Sequence, residues 1–241
     1  MSGSDLTYAA QFEVLRVWIG TLDDDDLRTA SNLPGWTVGD LIGHLVGTGS
    51  SIAGLTTAES PGGSPVGEII DSGEPGRQEP PPMTIADYVS GYTGSADQIA
   101  EMAKDLARTT VSDLLDALDA SNAAAQLNLD RLGGSDLVVT SRRGPILLSH
   151  FLDTRLIELV VHSGDLAASL PDRRGPMVLP MAQRRVLSVL RELLTQRSEH
   201  PIDALTAASA LPAADFIRLA AGRDASTPAL DPALIEALPL L

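Results

Sequence analysis

The sequence predicts a mainly α protein: a four-helix bundle over residues 1–170 and a small, mostly helical C-terminal appendage over 171–241. Three observations carry this. Apolar residues recur at helical spacing through the long stretches of the first 170 residues. One of those stretches opens on a helix cap. β-branched residues cluster around a turn only in one short segment, LVVTSRRGPI (137–146). The composition, 44% hydrophobic and 20% charged over 241 residues, is that of a folded protein with room for one large core. Aromatic residues are 3%, so that core must be aliphatic.

In chain order, residues 5–22 place Leu6, Phe12, Leu15, Ile19 and Leu22 at helical spacing, and the acidic run at 23–26 ends the helix as a solvated loop. A second helix begins at about Val38 and runs to about Leu55. Thr37 and Asp40 form a capping-box-like pair, and Trp36 and Leu41 flank the cap as a hydrophobic staple. Residues 56–83 are rich in Pro, Gly and Ser and read as a long loop, either covering a site or a bland insertion. From Thr84 to about Arg131 the pattern is helical, with a break or kink near Thr109, Thr110 and Val111. Gly133–Gly134 ends it. LVVTSRRGPI is a short hairpin or an extended connection. Residues 147–170 form the next helix, followed by helices at about 179–197 and 212–222, with a turn at His200–Pro201 between them.

The formal charge of −15, from 17 basic and 32 acidic residues, excludes the basic surface that nucleic acid or an anionic membrane requires. A small anionic substrate would need a local arginine or a metal. There is no cysteine, so disulfides, thiolate metal sites and a cysteine nucleophile are all excluded. The first residues lack a signal-peptide pattern, and no apolar run reaches the roughly 20 residues of a membrane span. A cytoplasmic protein is expected.

RLIELVVHSGDL (155–166) sets Glu158 and His162 four apart in an otherwise apolar helix, where both can reach one metal ion. His150 cannot join them, because eight residues span about 12 Å of helix. A third ligand must come from another helix, and His44, on the stripe of Leu41, Leu45 and Thr48, is the candidate. Taken alone, Glu158 and His162 read first as an i,i+4 ion pair, and His44 as a core histidine. His150 and His200 read as incidental.

GWTVGDLIGH (35–44) and RLIELVVHSGDLA (155–167) resemble the two signature segments of the mycothiol-dependent maleylpyruvate isomerase family, a branch of the DinB-like metal-binding four-helix bundles. FIRLAAGRD (216–224) is similar to a third family segment near the C-terminus. The resemblance implies a metal held by His44, Glu158 and His162, mycothiol as thiol co-substrate, and a catalytic arginine at Arg223. In the isomerase itself the C-terminal part is a small α/β domain, whereas residues 171–241 here read as helical.

Two imidazoles and one carboxylate leave positions open on the ion, the composition of a catalytic site; zinc is the first choice, and iron, nickel or manganese suit the same set. The expected activity is therefore that of a metal- and mycothiol-dependent isomerase or S-transferase acting on a small electrophile. Arg223 would bind a substrate carboxylate or stabilise enolate charge. Asp165 is expected to orient a histidine, and Arg155 to hold Glu158 or Asp165 in place. Two readings of other classes remain: a non-catalytic metal-binding bundle acting as sensor or interaction module, and a metallohydrolase using metal-bound water.

Overall fold

The computed structural model describes residues 3–57, 81–92, 94, 96–133, 136–223 and 230–241. Most of the loop expected at 56–83, and Gly134 of the expected glycine pair, lie outside them. The chain forms helix α1 (Gly3–Ile19), and the acidic run that follows is not merely a solvated loop. Asp23 caps a short helix α2 (Asp24–Arg28), accepting the N–H groups of Asp25 and Asp26, while the Asp26 carboxylate returns to the Asp23 N–H. Three carboxylates in a first turn also suit the positive end of the helix dipole. Asp23 and Asp26 pair with Arg173, far along the chain.

Helix α3 (Val38–Ala53) starts on the expected capping box: Thr37 Oγ1 accepts the Asp40 N–H at 3.1 Å, and Asp40 accepts the Thr37 N–H at 2.8 Å. Strand β1 (Thr56–Thr57) follows. The helical region expected from Thr84 to about Arg131, with a break or kink near 109–111, is three helices: α4 (Ile85–Ser90), α5 (Ala96–Leu106) and α6 (Val111–Leu132). The β-branched run at 109–111 separates helices rather than bending one. Thr110 caps α6 by accepting the Asp113 N–H, and the first N–H of α6 is taken by the Asp24 carboxylate at 2.8 Å.

LVVTSRRGPI forms a hairpin. Strands β2 (Val138–Ser141) and β3 (Gly144–Leu147) pair antiparallel, Ser141 opposite Gly144, so that Arg142 and Arg143 make the turn, and β1 adds to the outer edge of β2. Helix α7 (Leu148–Ser169) continues directly from β3. Four helices then follow: α8 (Pro180–Arg197), α9 (Pro201–Ala210), α10 (Ala213–Ala220) and α11 (Pro232–Ala237). Pro201 does not make a turn but opens α9, where its missing N–H has no helical partner to lose. Among the described residues after 170 there is no strand, as the sequence suggests. No described helix is long and apolar enough to cross a membrane.

The long helices α1, α3, α6 and α7 enclose an aliphatic core that includes Leu15, Ile19, Leu41, Leu45, Leu114, Leu118, Leu152, Leu159 and Leu166. A second apolar cluster joins the opposite face of α7, through Leu156, Ile157 and Val160, to Val186 and Leu190 of α8 and Phe216 of α10. Helix α7 is therefore buried on both sides, with apolar residues on two faces rather than on one stripe.

One close approach sets how α5 lies beside the turn of α3 that carries His44. At Gly43 a Cβ would stand 2.5 Å from the Ala103 carbonyl and 2.7 Å from the Ala107 nitrogen, so only glycine lets α5 lie against this turn of α3. Gly164 of α7, by contrast, has open space around it. Chemical denaturation should show Gly43→Ala destabilising by about 1–3 kcal/mol, an overpacking cost. The better helix propensity of alanine should make Gly164→Ala neutral or stabilising by up to about 1 kcal/mol. Equal effects at both positions would contradict this packing.

Candidate metal centre

The capping box fixes where α3 begins, and His44 follows it by two helical turns on the face turned to α7. Across the gap, Glu158 and His162 sit one turn apart. Glu158 Oε2 stands 3.1 Å from His44 Nε2 and 3.2 Å from His162 Nε2. One ligand atom from each of the three residues lies within 4.8 Å of the others. Two ligands about 2.0–2.1 Å from a tetrahedral ion stand about 3.3 Å apart, so the two nitrogen-to-oxygen separations match what a zinc-sized ion requires. The imidazoles meet edge to face at 4.9 Å between ring centres, and the Trp36 ring packs edgewise on His44 at 5.7 Å.

Behind His162 lies a second layer. His162 Nδ1 is 2.9 Å from Asp165 Oδ2, which leaves Nε2 to face Glu158. Asp165 is 1% exposed and is held from two further places. Arg223 donates to both its oxygens at 3.0 Å, and Asn32, from the loop before α3, donates to Oδ1 at 3.3 Å. Arg155 Nη2 stands 4.0 Å from Glu158 Oε1 and donates to the Tyr92 hydroxyl at 2.8 Å. Of the two partners expected for Arg155, the structure places it beside Glu158; Asp165 is paired with Arg223.

These contacts set the proton affinities. Burial by itself would raise Glu158, but hydrogen bonds from His162 and His44 and the Arg155 charge hold it well below the usual carboxylate range. For His44 burial prevails over Glu158 and lowers the imidazole, keeping it neutral. Burial also opposes charge on His162, but Asp165 and Glu158 outweigh it and push the imidazole up to about 9. Burial would raise Asp165, yet His162 and Arg223 depress it strongly.

His44 and Glu158 open onto a cavity of about 330 Å³, also lined by Arg155, Tyr88, Tyr92 and the hairpin residues Arg142 and Arg143. Arg223 is not on it. Its guanidinium is turned to Asp165 and lines a smaller apolar cavity of about 100 Å³ with Val160, Val161 and Ile217. His150 and His200 are outside the three-residue cluster. Sequence reasoning did not find Tyr92 or Asn32, whose isolated occurrence carries no motif. The RR pair of the hairpin turn was visible but read only as turn chemistry.

The fold and this donor set define a helical bundle of the DinB-like type whose core can hold a mononuclear metal. The sequence model of the mycothiol maleylpyruvate isomerase N-terminal domain matches residues 8–167, two thirds of the chain, and the chain belongs to that family. The matched region includes His44, Glu158, His162 and Asp165 but not Arg223. No curated protein and no solved structure matches the chain.

A metal ion entering the cluster must displace the proton of His162, whereas His44 is already neutral. Apparent affinity should therefore rise with pH by up to tenfold per unit, for one proton, until His162 titrates near 9. Competition against a chromophoric chelator between about pH 6 and 8 measures this slope. Asp165→Ala should weaken metal binding about 10–100-fold. A pH-independent affinity, or one unchanged in that variant, would contradict the assignment.

Proposed function

We propose that the protein is a metal-dependent cytoplasmic enzyme in which mycothiol supplies the nucleophile and a small electrophile is the substrate. The reaction is either cis–trans isomerisation of a maleylpyruvate-like keto acid or transfer of the thiol to an electrophilic carbon. One observation carries the reading: His44, Glu158 and His162 converge, and His44 and Glu158 line a cavity large enough for a small ligand, inside a chain of the maleylpyruvate isomerase family. A divalent ion bound there, zinc by preference, favours the thiolate over the thiol at neutral pH.

The chain has no cysteine, so the reactive sulfur must come from outside. In the isomerisation the thiolate adds to one carbon of a cis double bond conjugated with a carbonyl, and the electron pair moves to the carbonyl oxygen as an enolate. The former double bond is now single and rotates. The enolate then re-forms the carbonyl, expelling the thiolate and leaving the trans isomer. In the transfer reaction the sulfur keeps its new bond and a leaving group departs with the electron pair.

His44, Glu158 and His162 bind the metal. Asp165 holds the Nδ1–H of His162, presenting Nε2 to the ion, and thereby fixes tautomer and ring orientation. Arg223, expected as a group acting on substrate, is assigned to positioning: its two hydrogen bonds lock Asp165. The guanidinium that faces the cavity beside Glu158 is that of Arg155, suited to enolate charge.

Purified metal-loaded protein should isomerise a cis-unsaturated keto acid, or consume thiol with an electrophile, only when mycothiol is present. Arg223→Gln should lower kcat and weaken metal binding together. Turnover without thiol would favour a metallohydrolase, and no reaction across a broad panel would favour a non-catalytic bundle. Either result overturns the proposal.

A further inference from the structure

The cavity has a second chemical feature, set against its surroundings. The chain carries a formal charge of −15, yet among the described residues the charged side chains on this cavity are three arginines and a single carboxylate. That carboxylate is Glu158, already committed to His44 and His162. Arg155 comes from α7, and Arg142 and Arg143 come from the two-residue turn between β2 and β3. Among the described residues neither turn arginine is ion-paired.

Arg143 is nevertheless held. Its guanidinium lies over the Tyr88 ring at 5.4 Å and the Tyr92 ring at 5.1 Å. Gly91 makes the space, since a Cβ there would collide with Arg143 Nη1. A guanidinium held over aromatic rings still carries its N–H donors in its own plane, and those donors match the two oxygens of a carboxylate. Among the described residues the side-chain hydrogen bond of Arg142 goes to the Met102 sulfur, at 3.7 Å, a weak acceptor. Tyr92 connects this wall to the cluster, because its hydroxyl accepts from Arg155, which in turn stands beside Glu158. An anion repelled by the protein's overall field needs a local site of this kind.

We propose that Arg142 and Arg143 form the anion subsite of this cavity, binding a carboxylate of the substrate while its reactive carbon faces the cluster of His44, Glu158 and His162. Tyr88 and Tyr92 then flank the flat, conjugated part of the molecule. The placement of the reactive carbon rests on the proposed function; the binding of a carboxylate needs neither metal nor thiol.

The test is calorimetric titration of the full-length protein with malonate, a small unreactive dicarboxylate, and with its neutral diamide. Wild type should bind malonate and not the diamide. Arg142→Gln and Arg143→Gln should each weaken malonate about tenfold, the effect of losing one charge-assisted contact, while metal content stays unchanged. Arg143→Lys, which keeps the charge on a less disruptive side chain, should retain part of the binding. Arg142 is exposed, so its variant reads the subsite even if substitution at 143 unfolds the hairpin. His44→Ala should still bind malonate in an arginine-dependent way, which separates this proposal from the metal-and-thiol reading. Malonate binding that is absent, that is equal to diamide binding, or that both Gln variants leave intact would overturn it. So would tighter binding of inorganic phosphate than of malonate.

Discussion

A carboxylate and an imidazole in a helix buried on both faces must find partners, and much of the structure around α7 follows from that need. An unpaired buried charge costs several kcal/mol, far more than one buried leucine returns. Glu158 meets this constraint with His44 from α3, His162 from its own helix and the nearby Arg155. Other buried polar groups of α7 follow the same rule. Asp153 pairs with Arg185, and Ser163 and Ser169 return their hydroxyls to the carbonyls one turn back. Helix α7 can be buried on both faces because these polar groups are each answered by a specific neighbour.

Asp165 extends the same logic beyond the bundle. Its carboxylate gathers the imidazole of His162, the amide of Asn32 and the guanidinium of Arg223, drawn from three distant parts of the sequence. The segment that follows α10 thus bears on the orientation of His162, an imidazole it does not itself carry. We propose the division of the chain into a bundle over 1–170 and an appendage over 171–241 with Arg223 as the link that makes the second part matter to the first. An arginine that acts through Asp165 and one that touches substrate would look alike in a simple loss-of-activity experiment. Their separation lies in metal affinity, which only the former should alter.

Much of this was legible in the residues. The capping box of Thr37 and Asp40 placed the start of α3, and with it the face on which His44 lies. The spacing of Glu158 and His162 gave their shared face from helical periodicity alone. What periodicity could not give was the long-range pairing. The acidic run at 23–26 looked solvated because nothing local reveals that Asp23 and Asp26 face Arg173, or that Asp24 receives the first N–H of α6. The β-branched run at 109–111 suggested a break or a kink without deciding between them, since its role as a boundary depends on Thr110 acting as a cap. Arg223 carried a motif whose meaning lay in which carboxylate it would meet, and that is set by tertiary structure. Pro201 at the start of α9 was a readable signal, given the preference of proline for a first helical turn.

The central claim is that α3 and α7 build a three-ligand centre with an open position to which a thiol can bind. X-ray absorption at the metal edge of the loaded protein tests it most directly. The account predicts two imidazole shells and light oxygen or nitrogen neighbours at about 2.0–2.1 Å, and on adding mycothiol one sulfur neighbour at about 2.3 Å. A metal shell with no imidazole contribution, or one that sulfur never enters at saturating thiol, would contradict it.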